Sequence, residues 1–375
     1  MGKRGNGEGS ITRRKDGLYM ARYTVETATG AKRKTLYAKT RKEASERLTE
    51  ALAQARKGIT ANAGALMVGT FIERWIEDSV RGSVRRSTYQ RDESLCRVHI
   101  TTALGKKKLK TLSAADVQRF YRAKLDSGLS SATVHKLHVL LHKALKQAER
   151  WGLIARNVAD DVDPPKVHKE EVRPLTNAQA RKLLNTVKGD RLEALYVVAL
   201  QSALRQGELL ALRWEDVDLE ARTLQVRRTV TRDGGKLTVG STKTAKGRRT
   251  VKLTQGATEA LQGHLERQLV EIDKAGDKWQ ENGLVFCTGK GTLINPTNLR
   301  KRSFAPLLQR AGLPTITFHQ LRHTAATILL LNNVNPKVVS ELLGHATIAI
   351  TLDTYSHVLP NMQHSVVAAM EETFS

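Results

Sequence analysis

The stretch HQLRHTAATILLL, residues 319–331, begins with basic side chains and continues as an apolar helix that should be buried. His319, Arg322 and His323 all lie in its first two turns. His319 and Arg322 are three residues apart, so they share one face of the predicted helix. A guanidinium and an imidazole fixed on a buried helix are suited to holding an anion, because both donate hydrogen bonds and the guanidinium stays charged at any working pH.

Three other stretches carry side chains of the same kind. In QSALRQGELLALRW, Arg205 follows an apolar helix, and Glu208 lies three residues on, where it can orient the guanidinium. In STKTAKGRRTVKL, Lys243 lies at the edge of a predicted hairpin. LLGHATIAITLDTYSHVLP carries His345 and, ten residues later, Tyr355, whose hydroxyl is a candidate nucleophile.

Each of these positions has an ordinary structural explanation when it is taken alone. Arg205 could do no more than form a salt bridge with Glu208, and a single lysine among many carries little information. HQLRH lacks the glutamate of the HExxH zinc motif and no third ligand is suggested, so we predict no metal site. Tyr355 by itself would be read as a half-buried aromatic. The functional interpretation therefore depends on their joint occurrence.

The overall charge points to a polyanionic partner. The 375-residue chain has 62 Lys and Arg against 37 Asp and Glu, a net charge of +25. Such an excess favours nucleic acid, with an anionic membrane surface as the weaker alternative. Cys96 and Cys287 are the only cysteines, too few for a disulfide framework. With no secretory signal and no long apolar run, we expect a soluble cytoplasmic protein of two or three domains.

Residues 1–60 are predicted to form a small basic domain, with 15 Lys and Arg against 6 Asp and Glu. Alternating residues indicate three short strands, followed by a helix capped by Thr40, with Glu43 completing a capping box and Gly58 ending it. A solvated charged face is the alternative to DNA binding here. We expect one sheet face to bear the DNA contacts Arg14, Lys15, Arg22, Lys32, Arg33 and Lys34.

Residues 67–160 are predicted to be an all-helical domain, with helices capped by Ser113 and Ser130. Its histidines are interpreted as surface or core residues and not as metal ligands. Residues 161–173 contain two adjacent prolines and form a predicted linker. The loop GKKKLK supplies further predicted DNA contacts, Lys106, Lys107 and Lys108.

Residues 174–375 are predicted to be a mixed, mainly helical domain, which makes the whole chain an α+β multidomain protein. Its first helix should begin at a capping box formed by Thr176 and Gln179. The other elements predicted before the helical C-terminal third are strands at 223–230, 237–242, 248–253 and 284–287 and a helix at 254–273.

Taken together, the motifs resemble those of the tyrosine recombinase (phage integrase) family. The resemblance is close over residues 174–375, through ALRQGE, the Lys-bearing hairpin, HQLRHTAAT, LLGHATIAIT and LDTYSH. It covers residues 1–160 only in plan, as an arm-type DNA-binding domain followed by a helical core-binding domain. The departures are mild: Ala203 stands where a glycine is frequent, and Gln320 where an aspartate is common.

The resemblance implies strand cutting and rejoining through a 3′-phosphotyrosine. Arg205 and Arg322 would clamp the non-bridging oxygens of a phosphodiester, with His345 as a further donor. Tyr355 would be the nucleophile, and Glu208 would orient Arg205. By family analogy His319 would accept the phenol proton and Lys243 would protonate the leaving 5′-hydroxyl. His323 is interpreted as a structural hydrogen-bonding partner.

The expected partners are double-stranded attachment-site DNA and three further copies of the chain. The resemblance also allows an excisionase or a host DNA-bending protein, and it implies neither a metal ion nor a nucleotide cofactor. Three alternatives remain: a type IB topoisomerase, a non-catalytic DNA-binding regulator and a metal-dependent nuclease. The sequence does not reveal the DNA target, because base readout depends on geometry that no spacing shows.

Overall fold

The chain divides into two compact units, residues 1–169 and 170–375. The computed structural model describes residues 9–27, 30–56, 65–167, 174–242, 247–355 and 370–374. Within these ranges, no helix is both long enough and apolar enough to cross a membrane.

The first unit begins with an antiparallel three-stranded sheet and one helix. Thr40 Oγ1 accepts the amide of Glu43 at 3.2 Å, so the predicted cap is confirmed, but the Glu43 carboxylate accepts the amide of Lys39 and not that of Thr40, as a capping box requires. Ala21, Tyr23 and Leu48 form the core between sheet and helix. The predicted helix end at Gly58 lies outside the described residues. The elements are β1 (Ser10–Arg13), β2 (Tyr19–Thr27), β3 (Gly30–Ala38) and α1 (Arg41–Arg56).

The register of this sheet corrects the prediction that its six basic residues share one face. Lys34 pairs with Tyr23, whose side chain is buried in the core beneath α1, whereas Arg33 pairs with Thr24. Since neighbours along a strand point to opposite faces, Arg22 and Arg33 face away from α1 and Lys34 lies on the other side. Arg14 and Lys15 lie in the turn after β1, and the side chain of Lys32 lies outside those described.

The rest of the first unit, as far as it is described, is helical. Asp116 and Ser113 form a capping box, and Ser130 Oγ accepts the amide of Thr133, so both predicted caps are confirmed. The apolar faces of these helices enclose one core. The α-helices are α2 (Val68–Trp75), α3 (Arg86–Leu95), α4 (Thr102–Leu104), α5 (Ala114–Asp126) and α6 (Ser131–Arg150), with π-helical turns at Ile76–Val80 and Cys96–Thr101 and 3₁₀ turns at Leu109–Thr111 and Val158–Asp161.

The second unit surrounds the helix Glu193–Ser202, which is buried along nearly its whole length. The predicted capping box of Thr176 and Gln179 is present at the start of the helix Asn177–Val187. The helices are α7 (Asn177–Val187), α8 (Glu193–Ser202), α9 (Gln206–Leu209), α10 (Gln255–Ala275), α11 (Pro296–Asn298), α12 (Ala305–Arg310), α13 (Phe318–Leu331), α14 (Pro336–Leu343) and α15 (Ile348–Tyr355). Residues 370–374 are also helical.

The strands of this unit form two small sheets, and those predicted at 237–242 and 248–253 are confirmed as Lys236–Ser241 and Arg249–Lys252. The segment predicted as one strand, residues 223–230, is broken at Arg227, because its two halves pair with different partners. The predicted strand at 284–287 is wrong: Leu284 and Cys287 form isolated bridges only. The strands are β4 (Val217–Asp218), β5 (Thr223–Val226), β6 (Arg228–Asp233), β7 (Lys236–Ser241) and β8 (Arg249–Lys252), in sheets ordered β4-β5-β8 and β6-β7.

Candidate active site

Helix α13 carries a charged residue, Arg322, into the interior of the second unit. A capping box between Thr317 and Gln320 starts the helix, which gives the glutamine a local role. Leu321 and Ala325, which precede and follow Arg322 in the chain, are both buried. Arg322 itself is only 3% exposed. Burial, followed by the charge of Arg205, lowers the pKa of Arg322 to about 9, so the guanidinium remains charged at neutral pH.

The chain leaves α8 through a left-handed residue. Ala203 has φ 54° and ψ 28° and is fully buried. Glycine adopts this conformation without a Cβ penalty, which explains its frequency here in the family that the motifs resemble. The turn aims the Ala203 carbonyl at Arg322, whose Nη1 donates to it at 2.8 Å. It also places Arg205 at the first turn of α9.

The carboxyl end of α14 binds three guanidiniums through three successive carbonyl oxygens. The last carbonyls of a helix have no partner within the helix and carry the negative end of its dipole, so they attract cations. Gly344 ends the helix in a left-handed conformation with φ 61°. In these hydrogen bonds the Leu342 carbonyl accepts from Arg249 Nε at 2.6 Å, the Leu343 carbonyl from Arg322 Nη2, and the Gly344 carbonyl from Arg205 Nη2 at 3.2 Å.

Glu208 is the buried counter-ion of this cluster and is 4% exposed. Its Oε1 accepts from Arg205 Nη1 at 2.7 Å, and its Oε2 accepts from Arg249 Nη2 at 3.0 Å. Burial by itself raises the pKa of Glu208, but Arg249 and then Arg205 outweigh it and hold that pKa below its usual value. The predicted orientation of Arg205 by Glu208 is present in the geometry, and Arg249 was not foreseen.

His345 follows Gly344 and lies beside the same cations. Its Nδ1 lies 2.8 Å from Oγ1 of Thr351, a buried residue of α15. Burial, followed by the charges of Arg322 and Arg205, lowers the pKa of His345 to about 4, so the ring is neutral at pH 7. In the tautomer in which Nδ1 accepts from Thr351, the proton is on Nε2, which can then donate to a ligand.

The two histidines of α13 make different contacts. The His319 and His323 rings pack edge-on, with their centroids 4.8 Å apart. His319 is exposed. Surrounding protein, followed by the charges of Arg322 and Arg205, lowers the pKa of His319. His323 Nδ1 is hydrogen-bonded to Tyr355 Oη at 2.7 Å, and burial lowers the pKa of His323 to about 4.

Tyr355 is the last residue of α15 and is 1% exposed. It packs in a small core with Ala203, Ala325 and Leu343, which brings the carboxyl ends of α8 and α14 and the middle of α13 together around it. Burial raises the pKa of Tyr355 to about 12, although the charge of Arg322 opposes this shift. The phenol is therefore neutral at pH 7, and a base must take its proton as its oxygen bonds to phosphorus.

The structure thus gathers six of the seven residues predicted to catalyse the reaction or to orient a catalytic group. Lys243 lies outside the described residues, so its position relative to the others is untested. Within the part of the chain that the structure describes, no group of three His, Cys, Asp or Glu residues could hold a metal ion. The residues brought together are Arg205, Glu208, His319, Arg322, His345 and Tyr355, joined by Arg249 and His323.

Comparison with known proteins identifies the family of this chain. Residues 173–362 match the phage integrase family, and residues 67–125 match its N-terminal SAM-like domain. A tyrosine recombinase XerC-like protein of Caldanaerobacter subterraneus is 33% identical over 361 residues, which cover 91% of this chain and 92% of that protein. An integrase of Streptomyces ambofaciens is also 33% identical, over 88% of this chain and 86% of its own length.

Solved structures show the same relationship. The integrase of transposon Tn1549, in complex with a circular intermediate DNA, superposes with a TM-score of 0.68 at 25% identity, covering 82% of this chain and 99% of that chain. The chain belongs to the phage integrase family, and its α+β multidomain fold is that of the tyrosine recombinases. It is accordingly an enzyme of the tyrosine-type site-specific recombinase class.

Proposed function

We propose that this protein integrates a phage or another mobile element by cutting and rejoining DNA strands through a 3′-phosphotyrosine at Tyr355. The observation that carries the proposal is the convergence of Arg205 and Arg322 at the carboxyl end of α14, next to His345 and to the small core that contains Tyr355. A phosphodiester gathers negative charge on its non-bridging oxygens during attack, and fixed cations stabilise that charge.

The two guanidiniums act as the oxyanion clamp. Each of them is held by backbone carbonyls, Arg322 by Ala203 and Leu343 and Arg205 by Gly344, so their remaining N–H groups are already oriented before substrate binds. Oriented donors cost little reorganisation at the moment of reaction. His345 adds a neutral donor through Nε2.

The reaction balances with the residues already named. Tyr355 Oη forms a bond to phosphorus, its proton passes to His319, and the bond from phosphorus to the 5′-oxygen breaks. Lys243 gives the leaving oxygen a proton. The phosphotyrosine retains the energy of the phosphodiester, so a 5′-hydroxyl of a second strand can reverse the step without nucleotide hydrolysis. To reach phosphorus, the phenol must exchange its hydrogen bond with His323 for the substrate.

The first unit supplies most of the remaining DNA contacts in this proposal. Arg22 and Arg33 present their charge on the open face of the N-terminal sheet, where they bind arm-type DNA together with Arg14 and Lys15. In the helical part, Lys107 is paired with the buried Asp116 at 2.9 Å. All three lysines of this loop are exposed, but the ion pair partly neutralises Lys107, so its contribution to DNA binding is smaller than that of Lys106 and Lys108.

Recombination of two duplexes requires more than one active site, and we propose that four copies of the chain assemble on DNA. An excisionase or a host DNA-bending protein would set direction and arm geometry. The place of action is the DNA of a bacterial cytoplasm. These elements of the proposal are tested by assembly and integration assays, separately from the chemistry.

The chemistry is tested with a suicide substrate. This is a core-site duplex from the junction of the encoding element, nicked so that the short strand leaves after attack. The expected result is a covalent protein–DNA adduct, formed in EDTA, whose attached peptide contains Tyr355. An adduct on another residue, or cleavage that needs a divalent metal, would overturn the mechanism. Relaxation of supercoils without synapsis of two sites would favour the topoisomerase alternative.

A further inference from the structure

Arg249 is a buried cation to which none of the roles above gives a function. It is the first residue of β8, and its side chain is 8% exposed. Its Nε donates to the Leu342 carbonyl at 2.6 Å, its Nη1 to the Gly247 carbonyl at 3.2 Å, and its Nη2 to Glu208 at 3.0 Å. Every nitrogen of the guanidinium therefore has a protein acceptor.

Two of these acceptors belong to the proposed active site, and the third lies two residues before Arg249 in the chain. Glu208 lies between Arg249 and Arg205 and bonds both. The Leu342 carbonyl lies directly before the two that hold Arg322 and Arg205. Gly247 is the first described residue after the segment 243–246, which contains Lys243.

We infer that Arg249 is a positioning residue, which fixes Arg205 through Glu208 and anchors the carboxyl end of α14 and the strand after the Lys243 segment in one arrangement. The inference rests on the proposed function. Its basis is geometric, because a planar guanidinium can bond three acceptors in fixed directions at once, whereas an ammonium cannot reproduce that fork. Three of its five N–H groups are bonded to these acceptors and its side chain is only 8% exposed, so it acts through the residues it holds.

Two consequences separate this role from a general contribution to folding. The first is electrostatic: burial raises the pKa of Glu208, and Arg249 is the largest influence that lowers it again. Without Arg249, Glu208 takes up a proton at a higher pH and releases Arg205. The second is mechanical, because small displacements of a reacting group reduce rates by about 10²-fold.

The test uses full-length protein with saturating suicide substrate and measures single-turnover adduct formation from pH 5.5 to pH 8.5. We expect Arg249→Met to slow adduct formation by about 10²-fold near pH 6 and by less near pH 8.5. Arg249→Lys keeps a charge beside Glu208, so it should restore the wild-type pH profile but not the wild-type rate. Lys252→Met, an exposed position on the same strand, is the matched control and should behave as wild type.

Core-site DNA affinity and the thermal unfolding midpoint are measured for every variant. In a Glu208→Gln background, Arg249→Met should slow the reaction by much less than it does alone, because its route through Glu208 is already lost. Wild-type rates in Arg249→Met or Arg249→Lys would overturn the inference, as would an equal loss at every pH. Tyr355→Phe tests the proposed function separately. If wild type forms the adduct and Tyr355→Phe does not, the proposed function is upheld, whatever the Arg249 variants do. Absence of a wild-type adduct overturns both.

Discussion

His323 Nδ1 lies 2.7 Å from Tyr355 Oη, so the proposed nucleophile is hydrogen-bonded to the second histidine of α13 and not to the first. Both partners are neutral at pH 7, because burial raises the pKa of Tyr355 to about 12 and lowers the pKa of His323 to about 4. The bond joins α13 to the last turn of α15. It explains why a histidine outside the proposed catalytic set stands at the start of an apolar helix.

Replacing Tyr355 by phenylalanine separates this structural role from the chemical one. The variant should bind core-site DNA with wild-type affinity and form no covalent adduct. It should also lose about 1 kcal/mol of unfolding free energy, because a buried ring nitrogen of His323 is left without its partner. Urea unfolding and denaturing gels of the reaction mixture measure the two effects. An adduct formed by the Phe variant would refute Tyr355 as the nucleophile.

The low pKa values of His323 and His345 predict a stability that depends on pH. Both are lowered to about 4, from an ordinary value near 6.5. Between these limits the unfolded chain binds more protons than the folded one, so the unfolding free energy falls as pH decreases from about 6.5 to about 4. Each histidine contributes at most about 1.4 kcal/mol per pH unit.

Urea unfolding of wild type, His323→Gln and His345→Gln at pH 5 and pH 7 measures this contribution. Each substitution should flatten the pH dependence, and the double substitution should flatten it further. His135, which lies in the other unit, supplies the control substitution. An unchanged pH dependence in both single variants would show that their rings are not shielded from protonation.

The two arginines of the clamp should respond differently to substitution, although both are needed for cleavage. Arg205→Ala should lower single-turnover adduct formation by about 10² to 10⁴ while changing stability little, because Glu208 keeps its bond to Arg249. Arg322→Lys should lose a similar rate and also about 1–3 kcal/mol of stability. A lysine cannot serve the Ala203 and Leu343 carbonyls together, and one buried acceptor is left unpaired.

Adduct formation and urea unfolding on the same preparations decide between these expectations. Equal destabilisation by both substitutions would mean that Arg205 is as much a structural residue as Arg322. A rate near wild type in either variant would remove that arginine from the clamp.

The sequence was most informative where the interaction is local. The caps at Ser113, Ser130 and Thr176 each join residues three apart, so a single turn of helix determines them and the motif is visible in the chain. The pairing of Arg205 with Glu208 has the same spacing and was predicted for the same reason. Local bonds of this kind do not depend on how the rest of the domain folds.

Interactions between distant segments could not be predicted in this way. Arg249 and Glu208 are 41 residues apart, and Arg249 stands in a stretch rich in lysine and arginine, where no single cation is distinguished. The bond between His323 and Tyr355 spans 32 residues and requires that α13 and α15 pack together first. The break at Arg227 also depends on long-range pairing, because β5 and β6 join different sheets. Alternation along the chain does not reveal which strand will be the partner.

The register of the N-terminal sheet places two neighbouring cations, Arg33 and Lys34, on opposite faces. Arg33 pairs with Thr24 on the open face, whereas Lys34 pairs with Tyr23 on the face toward α1. If the open face binds the arm DNA, Arg33→Ala should weaken binding of an arm-site duplex and reduce the slope of log affinity against log salt by about 1, because one phosphate contact is lost. Lys34→Ala removes the same charge one residue away and should leave that slope unchanged. Equal effects of the two substitutions would mean that net charge, and not the sheet face, governs arm binding. In both variants, cleavage of a core-site suicide substrate should remain at the wild-type rate, since the N-terminal domain takes no part in the chemistry at Tyr355.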